Sequence, residues 1–158
     1  MRPTWDEYFL KMAFLVAERS TCRRHHVGAI IVKNRQVLTT GYNGAAKNIE
    51  DCMELGCLRD KLKIQSGQRH EICRAIHAEQ NAIIQAGVHG VNIHDAILYC
   101  THNPCIICAK MIVNAGIKRV VTGSDYPDEF NLVLDLFDEA GVAFEQIEFN
   151  DFKIKNKP

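Results

Sequence analysis

His77-Ala78-Glu79-Gln80-Asn81-Ala82-Ile83, then Ala96-Ile97-Leu98-Tyr99-Cys100, then Pro104-Cys105-Ile106-Ile107-Cys108 are the blocks on which the reading of this chain turns. The outer two open helices and the middle one is an apolar run of strand length, so the stretch is a helix, strand, helix unit. The spacing predicts helices over Ala78–Ala86 and Cys105–Ala115 on either side of a strand Ala96–Cys100. Gly87 and Gly116 mark where the helices stop, because glycine takes the left-handed conformation that closes a helix at little cost. Toward the N-terminus, Thr4 and Glu7 make a capping-box pair ahead of one apolar helical face, Phe9, Met12, Ala13, Val16 and Ala17. Val27–Val32 and Val37–Tyr42 follow as strands joined in a hairpin at Asn34-Arg35. Toward the C-terminus come a strand Lys118–Thr122, a helix Phe130–Ala140 closed by Gly141, and a strand Val142–Phe149. This alternation predicts an α/β domain of three layers, α-β-α, over residues 1–150, with 151–158 as a short solvated tail. Residues 43–73 carry no periodicity, and a loop that long inside a small domain is functional or internally braced.

Composition narrows the class. The 158 residues carry 19 basic and 19 acidic side chains, a net charge of zero, which argues against a nucleic-acid coat or a membrane-surface protein. The opening residues 1–7 hold no apolar stretch, and no run approaches bilayer length, so a cytoplasmic address without membrane association is expected. Seven cysteines are an odd count for a disulfide framework, and point instead to metal-binding or catalytic thiols in a reducing compartment.

Cys105 and Cys108 lie one helical turn apart at a helix N-terminus, where the positive end of the helix dipole favours thiolates. With the neutral imidazole of His77 they make three ligands for a tetrahedral zinc, whose fourth position is left for water, as in a catalytic site. Two thiolates and a neutral imidazole cancel the charge of the dication, leaving a metal still able to acidify water. Glu79, two residues beyond His77, is close enough to carry protons between that water and a substrate amine without binding the metal itself. His-x-Glu alone is a common coincidence on helix surfaces, and Cys-x-x-Cys alone has a redox pair as its rival. The redox motif belongs soon after the first strand of its fold, however, and Cys105 does not lie there. His-x-Glu, one strand, and then Pro-Cys-x-x-Cys form a joint signature of zinc deaminases acting on nucleobases.

From Trp5 to about Phe144 the chain resembles the deoxycytidylate deaminase family of the cytidine deaminase-like superfold. The resemblance rests on Val27-Gly28-Ala29, Gly41-Tyr42-Asn43-Gly44, His77 to Ile83, Thr101 to Cys108 and Ala115-Gly116-Ile117. It implies a five-stranded mixed sheet flanked by helices, hydrolysis of dCMP to dUMP for thymidylate synthesis, a homo-oligomer that is often a hexamer, and in some members dCTP and dTTP as effectors. It also implies that Asn43 contacts the sugar and pyrimidine. A substrate phosphate needs donors, and in the basic run Arg23 to His26 the planar fork of Arg24 suits it, with a solvated basic turn as the alternative. Tyr126 is a second substrate-side candidate, with ordinary loop packing as its alternative.

Cys100 ends a buried strand and reads as a small core residue. Cys22, Cys52, Cys57 and Cys73 all fall in or beside the irregular region, and they are candidates for a second, structural zinc that clamps it, with His70 as an alternate ligand. Some members of the resembling family carry such a zinc, and Cys22 and Cys52 match its thiol positions. Scattered reduced thiols are the alternative. For the function as a whole, the competing readings are a deaminase of a free nucleoside or other cytosine nucleotide, one acting on a base in tRNA or single-stranded DNA, and a zinc-stabilised interaction module. The second would require a basic groove with stacking aromatics, against which the neutral charge speaks.

Overall fold

The computed structural model describes residues 2–124 and 130–148. Helix α1 (Trp5–Ala17) starts on the expected capping box: Thr4 Oγ1 accepts from the Glu7 N–H at 3.2 Å, and the Glu7 carboxylate accepts from the Thr4 N–H at 2.7 Å. Strands β1 (Gly28–Lys33) and β2 (Gln36–Tyr42) form an antiparallel hairpin. Asn34 and Arg35 both have positive φ, the geometry of a type I′ turn whose twist matches its strands. After helix α4 (Ala78–His89) come β5 (Ile97–Cys100), α5 (Ile106–Asn114), β6 (Arg119–Thr122), α6 (Phe130–Ala140) and β7 (Ala143–Gln146).

The main sheet has five strands in the order β2-β1-β5-β6-β7. β1 runs antiparallel to both β2 and β5, while β5, β6 and β7 are parallel, so the sheet is mixed as expected. Alternation along the strands divides the core in two. Ile30, Val32, Tyr99 and Val121 face Phe9 and Leu10 of α1. Ala29, Ile31, Leu98, Cys100 and Val120 face the other way, onto Ala78, Ala82 and Ala86 of α4, Ala109 and Ile112 of α5, and Val133 and Phe137 of α6. One helix on one side and three on the other make the three layers. Cys100 is fully buried in that second core.

The irregular region is more organised than its composition suggested. Strand β3 (Gly44–Ala45) pairs antiparallel with β4 (Ala75–Ile76), closing the segment at its base. Between them lie two four-residue helices, α2 (Cys52–Leu55) and α3 (Leu58–Lys61), and a 3₁₀ turn at His70–Ile72. Two-residue strands leave no periodicity, which is why the sequence did not reveal this ladder.

Gly116 and Gly141 close their helices with φ of 76° and 72°. Gly87 does not. α4 continues through it to His89 and is closed by Gly90 at φ 66°, with the Val91 N–H bonding to the Ala86 carbonyl and the Gly90 N–H to Gly87. A glycine can lie inside a helix at a cost of about 1 kcal/mol, and the turn to Val91 sets the end.

Gly41 fixes where α4 sits. A Cβ there would lie 2.2 Å from the Ala78 carbonyl oxygen and 2.4 Å from the Ala82 nitrogen, so the helix that begins at His77 rests directly on β2. Gly41→Ala is therefore expected to cost about 1–3 kcal/mol through overpacking. Gly87→Ala, with nothing within 4 Å of the new methyl, is expected to raise stability by about 0.5–1 kcal/mol. Urea denaturation of the two variants beside the parent protein checks both, and equal effects would refute the packing contrast.

Candidate active site

His77 is the N-cap of α4 and Cys105 the N-cap of α5. The two helix starts meet. His77 Nδ1 lies 3.3 Å from the sulfur of Cys108 and 3.6 Å from that of Cys105, and the Cys105 sulfur accepts from the Cys108 N–H at 3.5 Å. These three ligand atoms lie within 4.8 Å of one another, and among the described residues no other three His, Cys, Asp or Glu side chains converge so closely.

The electrostatics suit a metal. A hydrogen bond from the Cys108 thiol, opposed by burial and helped by His77 and the Cys108 N–H, brings Cys105 down to about 3. Cys108 is pushed up by that same shared proton and by burial. A bound cation would favour the thiolate form of both. Burial lowers His77, but the Cys105 hydrogen bond and the Glu79 charge outweigh it and leave the ring above its ordinary value. Two soft sulfurs and one imidazole are a donor set that zinc favours.

Glu79, one residue into α4, is 4% exposed. Burial raises its carboxyl above the usual range, against the pull of the His77 charge and with the Cys100 thiol in contact. A carboxyl held in this way is suited to take and return a proton near neutral pH.

His77, Glu79 and Cys105 line a cleft of about 60 Å³ whose other walls include Asn43, His25, Arg59, His70 and His102. A wider groove of about 600 Å³ runs along β2 and α4, but it holds no cluster of thiols or acids, and the chemistry belongs to the smaller cleft. Asn43 is 8% exposed, and its side chain ties the approach to β1 together. Its Oδ1 accepts from the Val27 N–H at 2.9 Å and from Ser20 Oγ at 2.5 Å, and its Nδ2 donates to the His25 carbonyl at 2.8 Å. One amide proton is left to offer to the cleft.

Arg24 does not reach the cleft. Its Nε donates to Asp60 Oδ1 at 2.7 Å and its Nη2 to the Ile64 carbonyl at 2.5 Å, while Nη1 is buried without a partner, so two of its three nitrogens brace the irregular segment. His25, the next residue but half-buried, takes the cleft-facing place, with Ser66 Oγ at 2.9 Å. Tyr126 lies outside the described residues. Sequence reasoning missed Arg59 and His102. Arg59 lies in the segment without periodicity, where nothing marks one arginine over another. His102 falls within the quoted Thr101–Cys108 block and could have been read as a strand-end residue beside the thiols. Its ring, held 2.8 Å from Thr101 Oγ1, is brought down to about 4 by burial and by the His25 charge, so it is neutral near pH 7.

Cys22, Cys52 and Cys57 are buried and Cys73 is half-buried, and burial together with the neighbouring Cys57, Cys22 and Cys73 thiols raises Cys52. His70 packs edge-on against His77 with centroids 5.0 Å apart and lines the same cleft as Cys22 and Cys73, with its Nδ1 buried and without a partner.

The comparisons with known proteins agree with this geometry. Residues 3–124 match the family described as the cytidine and deoxycytidylate deaminase zinc-binding region, and the chain belongs to that family. The deoxycytidylate deaminase of Schizosaccharomyces pombe is 39% identical over 92% of this chain, which spans only 44% of that protein's length. The deoxycytidylate deaminase of Mycobacterium phage D29 is 41% identical over 81% of the chain and 98% of the phage protein. The crystal structure of dCMP deaminase from the cyanophage S-TIM5 in complex with dCMP and dUMP superposes with a TM-score of 0.77 at 32% identity, covering 93% of this chain and 99% of that one. Among the described residues, no helix is long and apolar enough to cross a membrane.

If Arg24 is a brace, Arg24→Ala should loosen the segment between β3 and β4, at a cost of about 1.5–3 kcal/mol for the lost charged hydrogen bonds. Limited proteolysis should then cut between residues 46 and 74 faster than in the parent, whereas unchanged cleavage would mean the contacts with Asp60 and Ile64 hold nothing.

Proposed function

We propose that the chain hydrolyses dCMP to dUMP and ammonia, with zinc held by His77, Cys105 and Cys108 and with Glu79 as the proton carrier. The observation that carries this reading is the convergence of one imidazole nitrogen and two sulfurs beside a buried carboxyl. Its choice of substrate is supported by the phage relative, matched over 98% of its own length, and by the cyanophage enzyme bound to dCMP and dUMP.

Zinc on these three ligands would supply a Lewis acid that makes water nucleophilic near neutral pH. The residues do the rest. Asn43 orients the nucleoside with its remaining amide proton. Water's oxygen replaces the exocyclic nitrogen on C4, one of its protons ends on ring N3 and the other leaves with the amine as ammonia, and Glu79 transfers both. The raised Glu79 carboxyl is matched to this double duty, since it must be a base at one moment and an acid at the next.

Ammonia release measured with dCMP, CMP, dCTP, deoxycytidine and dAMP tests the assignment. We expect dCMP to be preferred, and Glu79→Gln to lower its turnover by at least about 100-fold with zinc content retained. Equal efficiency on dCMP and deoxycytidine would defeat the nucleotide reading. Full activity of Glu79→Gln would defeat the proton-carrier reading.

We also propose that Cys22, Cys52, Cys57 and Cys73 hold a second, structural zinc that draws their sulfurs together and pins α2 and α3 against the residues after α1. Three of the four are buried where there is little apolar core, which supports this reading over scattered thiols. Metal analysis should give two zinc ions per chain, falling to one in Cys52→Ser with a lower melting temperature. One zinc per chain in both proteins would remove the second site. A cytoplasmic address accords with seven free thiols. A homo-oligomer accords with the exposed Val37, Tyr42, Ile84 and Val88 along β2 and α4.

A further inference from the structure

Arg59 is a guanidinium in the wrong place for a structural residue. It is 5% exposed, yet no carboxylate pairs with it among the described residues. Its sequence neighbour Asp60, the nearest acid along the chain, is turned away to Arg24 at 2.7 Å. Nη1 of Arg59 donates to the Gln68 carbonyl at 2.9 Å, which anchors the side chain, while Nε is buried and finds no acceptor. A buried charge left without a counter-ion costs several kcal/mol, and a buried N–H without an acceptor adds to it. A fold tolerates such a group where a ligand completes it.

The cleft supplies the place. Arg59 lines it together with His25, Asn43, His70, His77, Glu79 and His102. Among the residues that line the cleft, Arg59 is the one arginine or lysine, and a guanidinium keeps its charge throughout the working pH range. Its planar fork can give two parallel hydrogen bonds to one tetrahedral oxyanion, which a lysine at the same place could not do.

We propose that Arg59 is the seat of the substrate's 5′-phosphate, a role that rests on the nucleotide reading above, and that it makes the cleft select monophosphates over free nucleosides. The position of Arg59 is set by the thiol group. Cys57 is the N-cap of α3, so the residue two places later is delivered into the cleft by the same segment that the cysteines gather.

The test separates this proposal from the deaminase reading because it measures binding as well as turnover. Calorimetry on the zinc-loaded protein with dUMP and with deoxyuridine gives the preference for the phosphate. We expect Arg59→Gln to reduce that preference by about 10- to 100-fold and Arg59→Lys to restore part of it. The ratio of kcat/KM for dCMP to that for deoxycytidine should fall in parallel. In the parent protein, the Arg59 Nε–H NMR resonance, identified by its absence from Arg59→Lys, should move on adding dUMP and stay in place with deoxyuridine, a readout that does not require the glutamine variant to fold. A preference untouched by Arg59→Gln, or an equal loss of both ligands, or a resonance that ignores dUMP, overturns the phosphate seat. Arg59-dependent binding of dUMP without ammonia release from dCMP would sink the deaminase reading and leave the seat standing.

Discussion

The 3.3 Å approach of His77 Nδ1 to the Cys108 sulfur exists because two helices begin at the same point. α4 is pressed onto β2 at Gly41, where no side chain would fit, and α5 starts six residues after the end of β5. Both helices pack through alanines, Ala78, Ala82 and Ala86 on one and Ala109 on the other, so their axes come close to the sheet and to each other. Small residues at these contacts thus help to set where the imidazole and the sulfurs lie.

That placement also explains the uneven charge of the thiols. Cys105 accepts the backbone N–H of Cys108, which favours negative charge on its sulfur, while the contact between the thiols and burial disfavour it on Cys108. Glu79 lies on the same helix start but deeper, against Cys100 of β5, where burial resists ionisation. One helix terminus thus carries an imidazole at its cap and a reluctant acid two residues further on, within the first turn. The pairing of these two is what separates a site for chemistry from one that merely holds a cation.

The parts of the fold with strong periodicity were legible before any coordinates. The Thr4 and Glu7 cap, the Asn34-Arg35 turn, the five main strands and the three thiol and imidazole ligands were all visible as residue types at fixed spacing. Three things were not. Gly87 was mistaken for a helix end because glycine inside a helix and glycine after one look the same along a chain. The β3–β4 ladder is too short to alternate. Arg24, singled out in the sequence for its planar fork, pairs with Asp60 and does not line the cleft, whereas Arg59, which nothing in the sequence marks, does line it, because burial and pairing are properties of the packed segment.

The closure of the irregular segment has a consequence of another kind. Ala45 and Ala75 are cross-strand partners, so the chain leaves the body of the protein and returns to it through one doorway. Whatever lies between can lengthen or shorten with little change in closure entropy, and the main sheet does not register the difference. The cleft's outer wall can thus be rewritten while the His77, Cys105 and Cys108 cluster keeps its place at the starts of α4 and α5.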